Sequence, residues 1–339
     1  MILAALLGAV LSSVPPPIYV NDGSVRGDRF TRQAGSDRSG DGSSDRPFGS
    51  LGKALATAQP GQMIYLDAGR YQSPRGWSIS KDGIRLIGAP QQTTRLRVKE
   101  GSVLQAKDRR GLALQDLVLE GGRIGVEWVR VRDSTMERVV SIGAATYGIL
   151  LRDCTALRLT GCATFRAKFR GLQIDRCSGV IVEGHHSAEN QQGGIVLRNA
   201  RGNILRACHS EKNGMSGFFI SDRSTENQFW ECIATDNRFV GFYLYNGATG
   251  NVLRGNTSTG NERGMTASRS PTNRFERNHV VANRTYGFLF KEQSPGNQVS
   301  RNRAEKNPEG DLASTADSTP RLQFRNQIGN RTTLPTATP

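Results

Sequence analysis

Aromatic residues are scarce in this chain, and long apolar runs are almost absent. Phe, Trp and Tyr together make up 7% of the 339 residues, whereas glycine occurs 39 times. Asn-Gly, Asp-Gly and Gly-Asn pairs recur along the sequence. This punctuation favours many short strands joined by tight turns over long helices, and it predicts an all-β protein.

The apolar run at residues 2–11 is too short to span a bilayer. It resembles the core of a signal peptide, although no Lys or Arg precedes it and Ser12, Ser13 and a proline run stand where an Ala-x-Ala cleavage site is expected. We therefore predict a signal peptide over residues 1–16 and a secreted or periplasmic protein with no membrane partner. The alternative is that this run is a buried first strand.

Acidic residues are in the minority. Lys and Arg number 45 against 30 Asp and Glu, which gives a net charge of +15. Such a charge attracts polyanions, or it serves only to keep the chain soluble. Because export would separate the protein from nucleic acid, we predict an anionic polysaccharide partner and no nucleic acid, and we take the protein to be a monomer.

A repeat of 23 or 24 residues dominates the sequence. Each repeat begins with a glycine and an apolar residue, at Gly125, Gly148, Gly171, Gly194, Gly217, Gly241, Gly264 and Gly287. Apolar residues then alternate, as in Ile149 and Leu151, which is the period of a strand with one buried face. The repeat is too short for a helix plus two strands and lacks the leucine-rich-repeat spacing. Three short strands per coil, stacked about 4.8 Å apart in three parallel sheets, fit it.

Asparagines stack in register with this repeat in three columns. The columns are Asn203, Asn227, Asn251, Asn273 and Asn297; Asn256, Asn278 and Asn302; and Asn190, Asn213, Asn237, Asn261, Asn283 and Asn307. A turn asparagine in such a ladder satisfies its amide against the next coil.

The five cysteines follow the same register. Cys162, Cys208 and Cys232 occupy the column that continues as Asn256, with His185 between the first two. We predict that these cysteines are buried, unpaired packing residues, and that they form neither a disulfide scaffold nor a metal site with His185. Cys154 and Cys177 share a second column, and theirs is the one disulfide that this geometry permits.

The segment before the repeats has the features of a cap. Ser50 precedes a short amphipathic segment whose apolar residues recur on one face, which predicts a capped helix, and a strand follows at residues 63–66. Such a helix would cover the open apolar end of a solenoid. We place the cap and first strand at residues 17–75, the β-helix repeats, about nine coils in all, at 76–312, and a C-terminal extension at 313–339, with a disordered tail from Thr332.

Four N-terminal segments resemble the start of secreted pectate-lyase-like β-helix proteins. They are the Tyr19-Val-Asn opening, the Gly35-Ser-Asp turn, the helix beginning Pro47-Phe-Gly-Ser and the strand Pro60-Gly-Gln-Met-Ile-Tyr-Leu-Asp-Ala-Gly-Arg-Tyr71. The coils that follow resemble the repeats of periplasmic NosD-type proteins and alginate epimerases. Together the resemblances cover nearly the whole chain and imply a right-handed parallel β-helix, a scaffold that carries lyases, hydrolases, epimerases and binding proteins.

The motifs of several of those activities are missing. The Asp-Pro-His-Asp string of the alginate epimerases does not occur, and of the pectin hydrolase strings Asn-Thr-Asp, Asp-Asp and Gly-His-Gly only Gly184-His185-His186 offers a partial match. Without the carboxylate pair, hydrolysis lacks its acid and its nucleophile or base. The calcium-dependent lyases use clustered aspartates, whereas Asp175 and Asp222 are isolated, so we predict no metal and no cofactor and find no support for calcium.

Metal-free β-elimination of a uronic-acid chain remains. This reaction removes the proton α to the sugar carboxylate, so it requires a base such as Lys, His or Tyr and a cation beside the carboxylate. We therefore predict a polysaccharide lyase acting on an anionic, uronic-acid-containing glycan. The alternatives are a uronan C5-epimerase or glycoside hydrolase on the same fold, and a non-catalytic glycan-binding or surface protein.

The strands after the repeat glycines predict the site. Their alternate residues face outward and stack in one row, namely Arg152, Asp175, Arg198, Ser221 and Tyr245, with Gln173, Val196, Phe219 and Tyr243 in a second outward row. We predict Lys212 or Tyr245 as the base and Arg198 as the neutralising cation. We predict further substrate contacts from Arg152, Asp175, Phe219, Tyr243, Lys168, Arg170 and Arg238. Alternatively, the Arg and Asp residues only balance charge along a ladder; His186 and His209 lie on another wall.

Overall fold

Three short strands and three turns make up each coil of this protein. The computed structural model describes residues 15–323 and 326–334. The apolar run at 2–11 lies outside these residues. Within them the strands form one sheet of thirteen strands and two of twelve, so the solenoid has twelve coils.

All strand pairings are parallel and join each coil to the next. The first sheet contains Ile18–Val20, Met63–Leu66, Arg85–Gly88, Ala113–Gln115, Arg132–Glu137, Thr155–Thr160, Ile181–Glu183, Ile204–Arg206, Gln228–Trp230, Val252–Arg254, Arg274–Glu276, Gln298–Ser300 and Arg321–Gln323. The second sheet contains Gly69–Ser73, Thr94–Val98, Val118–Gly121, Val140–Ile142, Ala163–Phe165, His186–Ala188, His209–Glu211, Ile233–Thr235, Thr257–Thr259, His279–Val281, Arg303–Glu305 and Gln327–Ile328. The third sheet contains Trp77–Ile79, Ser102–Lys107, Ile124–Val129, Tyr147–Arg152, Arg170–Asp175, Ile195–Arg198, Phe218–Ser221, Val240–Tyr245, Arg263–Ser268, Tyr286–Lys291, Gly310–Thr315 and Arg331–Leu334.

The predicted parallel β-helix is confirmed, but it has more coils than the nine expected. In the coil that contains Ser102–Lys107, Val103 takes the position of the repeat glycine, so Gly76 in the preceding coil stands apart from the series that begins at Gly125. At the other end the sheets continue past residue 312, and Thr332 pairs with Ala313. Thr332–Leu334 are therefore ordered strand residues, because the last coil presents unpaired backbone groups that this segment covers.

The predicted helix forms at Leu51–Thr57, and a 3-10 turn lies at Ala316–Ser318. The Oγ of Ser50 accepts a hydrogen bond from the backbone N–H of Lys53 at 3.1 Å, as an N-cap does. Leu51 is fully buried against the first coil. Among the described residues, no helix has the length and apolar character needed to cross a bilayer.

Apolar side chains stack on one another inside the coils. Phe218 and Phe242 are paired in register, with ring centroids 4.5 Å apart and planes at 1°. Both are completely buried. The alternating residues after each repeat glycine therefore face the interior, as their period predicts.

The three asparagine columns are hydrogen-bonded ladders. The Oδ1 of Asn227 accepts from the backbone N–H of Asn203 at 3.0 Å and from its side-chain amide at 2.8 Å. The second amide hydrogen of Asn203 goes to the carbonyl of Cys177 at 3.2 Å. This pattern repeats along each column, so buried amides with no access to water are satisfied.

Replacing Asn227 by Ala tests the ladder. The change leaves two buried donors of Asn203 without their acceptor, and each costs roughly 1–3 kcal/mol. We expect the unfolding free energy in urea to fall by about 2–5 kcal/mol. The control is Asn330→Ala, because the side chain of Asn330 is exposed. Equal losses in the two variants would contradict the ladder's role.

The predicted burial of the cysteines is confirmed. All five cysteines are buried free thiols. The backbone N–H of Cys232 donates to the Oδ1 of Asn256 at 2.9 Å, and its Sγ donates to the carbonyl of Leu205 at 3.5 Å. Cys154 and Cys177 are stacked but not bonded covalently, and the N–H of Cys154 donates to the Sγ of Cys177 at 3.3 Å.

Cys232 occupies a ladder position, so asparagine should replace it. The side-chain amide of Asn at this site would donate to the carbonyl of Leu205 in place of the thiol, and it would join the backbone N–H as a second donor to the Oδ1 of Asn256. We expect Cys232→Asn to change the unfolding free energy by less than about 1 kcal/mol. Phe229→Asn, three residues earlier in a fully buried apolar position, should lose about 3 kcal/mol or more. Similar losses in both variants would contradict this assignment.

His185 is the one histidine of the interior ladder. It is 1% exposed, and its Nε2 lies 3.1 Å from the Oγ1 of Thr164. Burial, followed by the charge of His186, lowers the pKa of His185 to about 3. The folded protein therefore keeps this imidazole neutral at pH values where a histidine of the unfolded chain, with a pKa of about 6.5, is protonated.

This difference predicts a loss of stability as the pH falls. Between pH 6.5 and 3 the unfolded state binds the additional proton, so the wild type should lose about 2 kcal/mol from this residue between pH 7 and pH 5. His185→Asn suits the column and removes that loss. Urea unfolding of both proteins at the two pH values measures it. An equal drop in wild type and variant would show that His185 does not titrate in this way.

Candidate functional site

A cavity of about 190 Å³ opens on the outer face of the third sheet. Its lining consists of Arg170, Gln192, Gly193, Val196, Met215, Ser216, Phe219, Phe239 and Tyr243. It lies where the third sheet has two four-residue strands, Ile195–Arg198 and Phe218–Ser221, between six-residue neighbours. The backbone at Gly193 and Ser216 therefore lies outside the strands, and the cavity opens beside these two residues.

Aromatic rings form much of the cavity wall. The ring centroids of Phe219 and Tyr243 are 5.4 Å apart, and Phe239 meets Tyr243 edge-on at 5.8 Å. Met215 is 46% exposed at the same opening. Exposed apolar surface concentrated in a cleft marks a binding site, and aromatic faces suit the apolar faces of sugar rings.

Arg170 provides the positive charge of the cavity. Its guanidinium lies 4.6 Å from the ring centroid of Phe169 and donates to the Oε1 of Gln173 at 2.8 Å. Burial lowers the pKa of Arg170, but a guanidinium stays protonated in proteins. Among the described residues, no carboxylate lies within ion-pair distance of it. This cation is therefore available to an anionic ligand.

Tyr243 provides a polar group in the wall of the same cavity. Burial raises the pKa of Tyr243 above its usual value, so the phenol is protonated at neutral pH. It can therefore donate a hydrogen bond or a proton to a bound ligand.

The predicted outward row exists, and ion pairs hold much of it. Arg152, Asp175, Arg198 and Ser221 follow one another in register. Arg152 lies 3.5 Å from Asp175, and the Nε of Arg198 donates to Asp222 at 2.8 Å. Burial opposes ionisation of Asp222, but hydrogen bonds from Asn246 and Arg198 lower its pKa. Charge balance along the ladder therefore accounts for part of this row.

Several predicted outward residues are not solvent-exposed. Gln173, Asp175, Val196 and Ser221 are all buried. The prediction of solvent exposure is wrong for them. Arg170 donates to Gln173, and Arg152 and Arg176 pair with Asp175, so charged side chains contact two of these positions. Val196 nevertheless lies outside the main apolar core and lines the cavity.

The other predicted site residues are spread over the surface. The phenol of Tyr245 accepts a hydrogen bond from Arg269, and its ring centroid is 6.2 Å from that of Phe219. Lys212 and Arg238 are exposed in turns and are not part of the cavity lining. Within the described chain, neither Lys212 nor Tyr245 makes a hydrogen bond or ion pair with Arg198.

Lys168 belongs to a second, larger depression of about 650 Å³. Its lining consists of Gln72, Ser73, Pro74, Arg97, Val98, Lys99, Gly121, Gly122, Gly143, Ala145 and Lys168. These residues include three cations and no carboxylate. Lys168 lies in the turn that leads into the strand Arg170–Asp175, two residues before Arg170, so the depression and the cavity have neighbouring lining residues at the edge between the second and third sheets. We call the two together the edge groove.

Met215 and Phe239 are cavity residues that the sequence analysis missed. With Phe169 and Gln192 they recur every 23 or 24 residues at one turn position. That spacing was visible in the sequence, but a turn column carries no alternation to show which way its side chains point. The sequence pattern also did not reveal a group of possible metal ligands on the second sheet, which consists of His186, His209 and Glu211.

Family comparisons agree with the fold. The family model "Right handed beta helix region" matches residues 124–264, and the model "Periplasmic copper-binding protein (NosD)" matches residues 222–338. The two models together span residues 124–338, and the chain has the right-handed parallel β-helix fold that the first model describes. No curated protein is significantly similar to this β-helix chain.

Solved structures share the fold of this β-helix protein at low identity. The A-module of the Azotobacter vinelandii mannuronan C-5 epimerase AlgE6 is 15% identical with a TM-score of 0.71, over 85% of this chain and 93% of that chain. A rhamnogalacturonan lyase is 14% identical with a TM-score of 0.58, over 94% and 87%. The GH136 lacto-N-biosidase from Eubacterium ramulus is 11% identical with a TM-score of 0.63, over 94% and 67%. These likenesses show the fold, and the activity has to be argued from the site.

Proposed function

We propose that this protein is a carbohydrate-active β-helix protein that binds an anionic, uronic-acid-containing polysaccharide in the edge groove and cleaves it by β-elimination. The observation that supports the proposal is one edge that combines four cations with an aromatic cavity. The cations are Arg97, Lys99, Lys168 and Arg170, and among the described residues none of them is ion-paired. The three similar structures named above are an epimerase, a lyase and a biosidase.

The shape of the edge groove suits an extended chain. Successive coils are about 4.8 Å apart, so a polysaccharide lying along the solenoid axis meets a new turn at that interval. Its carboxylates would pair with Arg97, Lys168 and Arg170 in turn. The cavity is smaller than the roughly 300 Å³ of ordinary ligand pockets, so it would hold one sugar unit against Phe219 and Tyr243.

Arg170 is the proposed neutralising cation. A guanidinium binds a carboxylate in bidentate fashion and stabilises the charge that develops when the adjacent proton leaves. Arg198, the cation predicted from the sequence, is already paired with Asp222. We therefore assign the carboxylate to Arg170 and leave Arg198 as a neighbouring contact.

The base and the acid come from the tyrosines beside the cavity. Tyr245, or Lys212 as the sequence also predicts, takes the proton α to the carboxylate. The electron pair forms the carbon–carbon double bond, and the bond to the glycosidic oxygen breaks. Tyr243 donates a proton to that leaving oxygen. The ring centroids of Tyr243 and Tyr245 are 5.5 Å apart, which supports a role for both tyrosines at one sugar unit.

A substrate screen with matched variants tests the function. Alginate, pectate, heparosan and chondroitin are incubated with the protein, and the ultraviolet absorbance of unsaturated uronates is followed. We expect Arg170→Ala to lower kcat/KM by about 10²–10³-fold and Tyr243→Phe to lower kcat by about 10²-fold, with unchanged melting temperatures. The control, Arg85→Ala, removes an exposed cation on the first sheet and should leave turnover intact.

Further variants assign the base and separate the alternatives. Loss of turnover in Tyr245→Phe but not in Lys212→Ala would identify Tyr245 as the base. Retained turnover in Arg170→Ala and in a variant that lacks both Tyr245 and Lys212 would place the chemistry elsewhere. Inverted uronate stereochemistry without new ultraviolet absorbance would indicate an epimerase. New reducing ends without new ultraviolet absorbance would indicate a hydrolase. Retention on a glycan without any reaction would indicate a binding protein. If the protein binds none of the four glycans, the proposal is contradicted.

We also propose that the protein acts outside the cytoplasm, as a secreted or periplasmic protein. The apolar run at residues 2–11 supports this, and the family matched at residues 222–338 is described as periplasmic. An acidic polysaccharide substrate agrees with that location. Fractionation of cells that express the full chain, with mass spectrometry of its N-terminus, tests export and cleavage together.

A further inference from the structure

Two histidines stack in register on the outer face of the second sheet. His186 and His209 are paired in adjacent strands, and their rings are parallel, with centroids 5.0 Å apart and planes at 4°. Glu211 lies two residues after His209 in the same strand and therefore on the same face. The Nε2 of His186 is 3.0 Å from the Oε1 of Glu211.

The three side chains bring their donor atoms together. One ligand atom from each of His186, His209 and Glu211 lies within 4.8 Å of the other two. The side chains of His186 and Glu211 are 39% and 23% exposed, so the cluster is partly covered but open on one side. An ion can therefore reach it from solvent.

One buried ring nitrogen in the cluster has no hydrogen-bond partner among the described residues. The Nε2 of His209 is buried and makes no hydrogen bond within the described residues. An unpaired buried polar atom of this kind costs free energy, and a native protein retains it where it meets a ligand or an ion. The nitrogen belongs to a residue that already shares the site with an imidazole and a carboxylate.

Apolar neighbours hold the cluster in place. The ring of Phe165 meets His186 edge-on at 5.2 Å. Ala163 precedes His186 in the column, and Ile233 follows His209. Such surroundings fix the orientation of metal-ligating side chains and strengthen charge interactions by excluding water.

We propose that His186, His209 and Glu211 bind a divalent transition metal ion, with Zn²⁺ and Cu²⁺ as its best representatives. Two imidazoles and one carboxylate suit these ions and not Ca²⁺ or Mg²⁺, which prefer oxygen ligands alone. Three protein ligands leave a coordination position open for water or a substrate group. The ion would join two adjacent coils across the second sheet. The site is separate from the edge groove, and the proposal does not depend on the polysaccharide activity.

The cluster is independent of the NosD family match. The three ligands fall inside residues 124–264, matched by the general β-helix model, and outside residues 222–338. The inference therefore rests on the side-chain geometry of this chain alone.

Calorimetric titration of tag-free protein with Zn²⁺, Cu²⁺, Ca²⁺ and Mg²⁺ tests the site. We expect one Zn²⁺ or Cu²⁺ per chain, a higher melting temperature when it is bound, and no binding of Ca²⁺ or Mg²⁺. His186→Gln and His209→Gln should each weaken Zn²⁺ binding by on the order of 100-fold, since changes to outer contacts alone cost 10–100-fold. His279→Gln is the matched control, because His279 lies in the same column of the second sheet without such neighbours.

A spectroscopic readout distinguishes a lost site from a misfolded variant. The electron paramagnetic resonance spectrum of the Cu²⁺ complex should show hyperfine coupling to two imidazole nitrogens in the wild type and to one in His209→Gln, with unchanged circular dichroism. Equal binding by wild type and a variant lacking both histidines would overturn the proposal and point to the thiols. Absence of Zn²⁺ and Cu²⁺ binding to the wild type would also overturn it.

Discussion

In-register stacking is the constraint on which this structure depends. A parallel solenoid places each residue directly above its counterpart one coil away, so a buried polar side chain has to be satisfied by an identical or equivalent neighbour. The asparagine columns meet this requirement with two hydrogen bonds to one oxygen in each step, as between Asn203 and Asn227. Cys162, His185, Cys208 and Cys232 occupy such positions in the early coils of the column that continues as Asn256. The interior therefore consists of columns, and the side chains of each column have to be compatible with their neighbours one coil away.

The outer surface inherits the same register but not the same requirement. Solvent can satisfy an exposed side chain, so outward columns are free to vary from coil to coil. The ion pair between Arg198 and Asp222, the aromatic wall at Phe219 and Tyr243 and the His186 and His209 pair are three different uses of that freedom. The cavity adds a change in the backbone, because the third-sheet strands shorten at Ile195–Arg198 and Phe218–Ser221.

The sequence predicted the parts of the fold that repeat. Glycine spacing predicted the coils, and alternating apolar residues predicted the buried face. The register of the asparagine columns predicted the burial of Cys162, Cys208 and Cys232. The first coils were undercounted because Val103 interrupts the glycine series. Local capping chemistry gave the helix at Leu51–Thr57, since Ser50 and the apolar spacing act over a few residues.

The candidate site was harder to predict because it depends on departures from the repeat. Phe219, Tyr243 and Arg170 were found, because alternation and turn position showed which way they point. Phe239 and Met215 were missed, since they contribute to a cavity only where two strands shorten. The sequence also does not show which cations form ion pairs. Arg198 and Arg170 are both outward cations, but among the described residues Asp222 pairs with Arg198 and not with Arg170.

The division between interior and exterior explains how one scaffold can carry unrelated sites. Because the ladders satisfy each coil internally, replacing an outward residue changes no buried hydrogen bond. An anion-binding edge can then form on one side of the solenoid and a metal-binding pair on another, each from residues 23 or 24 positions apart. In both proposed sites, stacking brings two side chains together: Phe219 and Tyr243 in the aromatic wall of the cavity, and His186 and His209 beside one carboxylate. The repeat that organises the core is therefore also the device that assembles the sites.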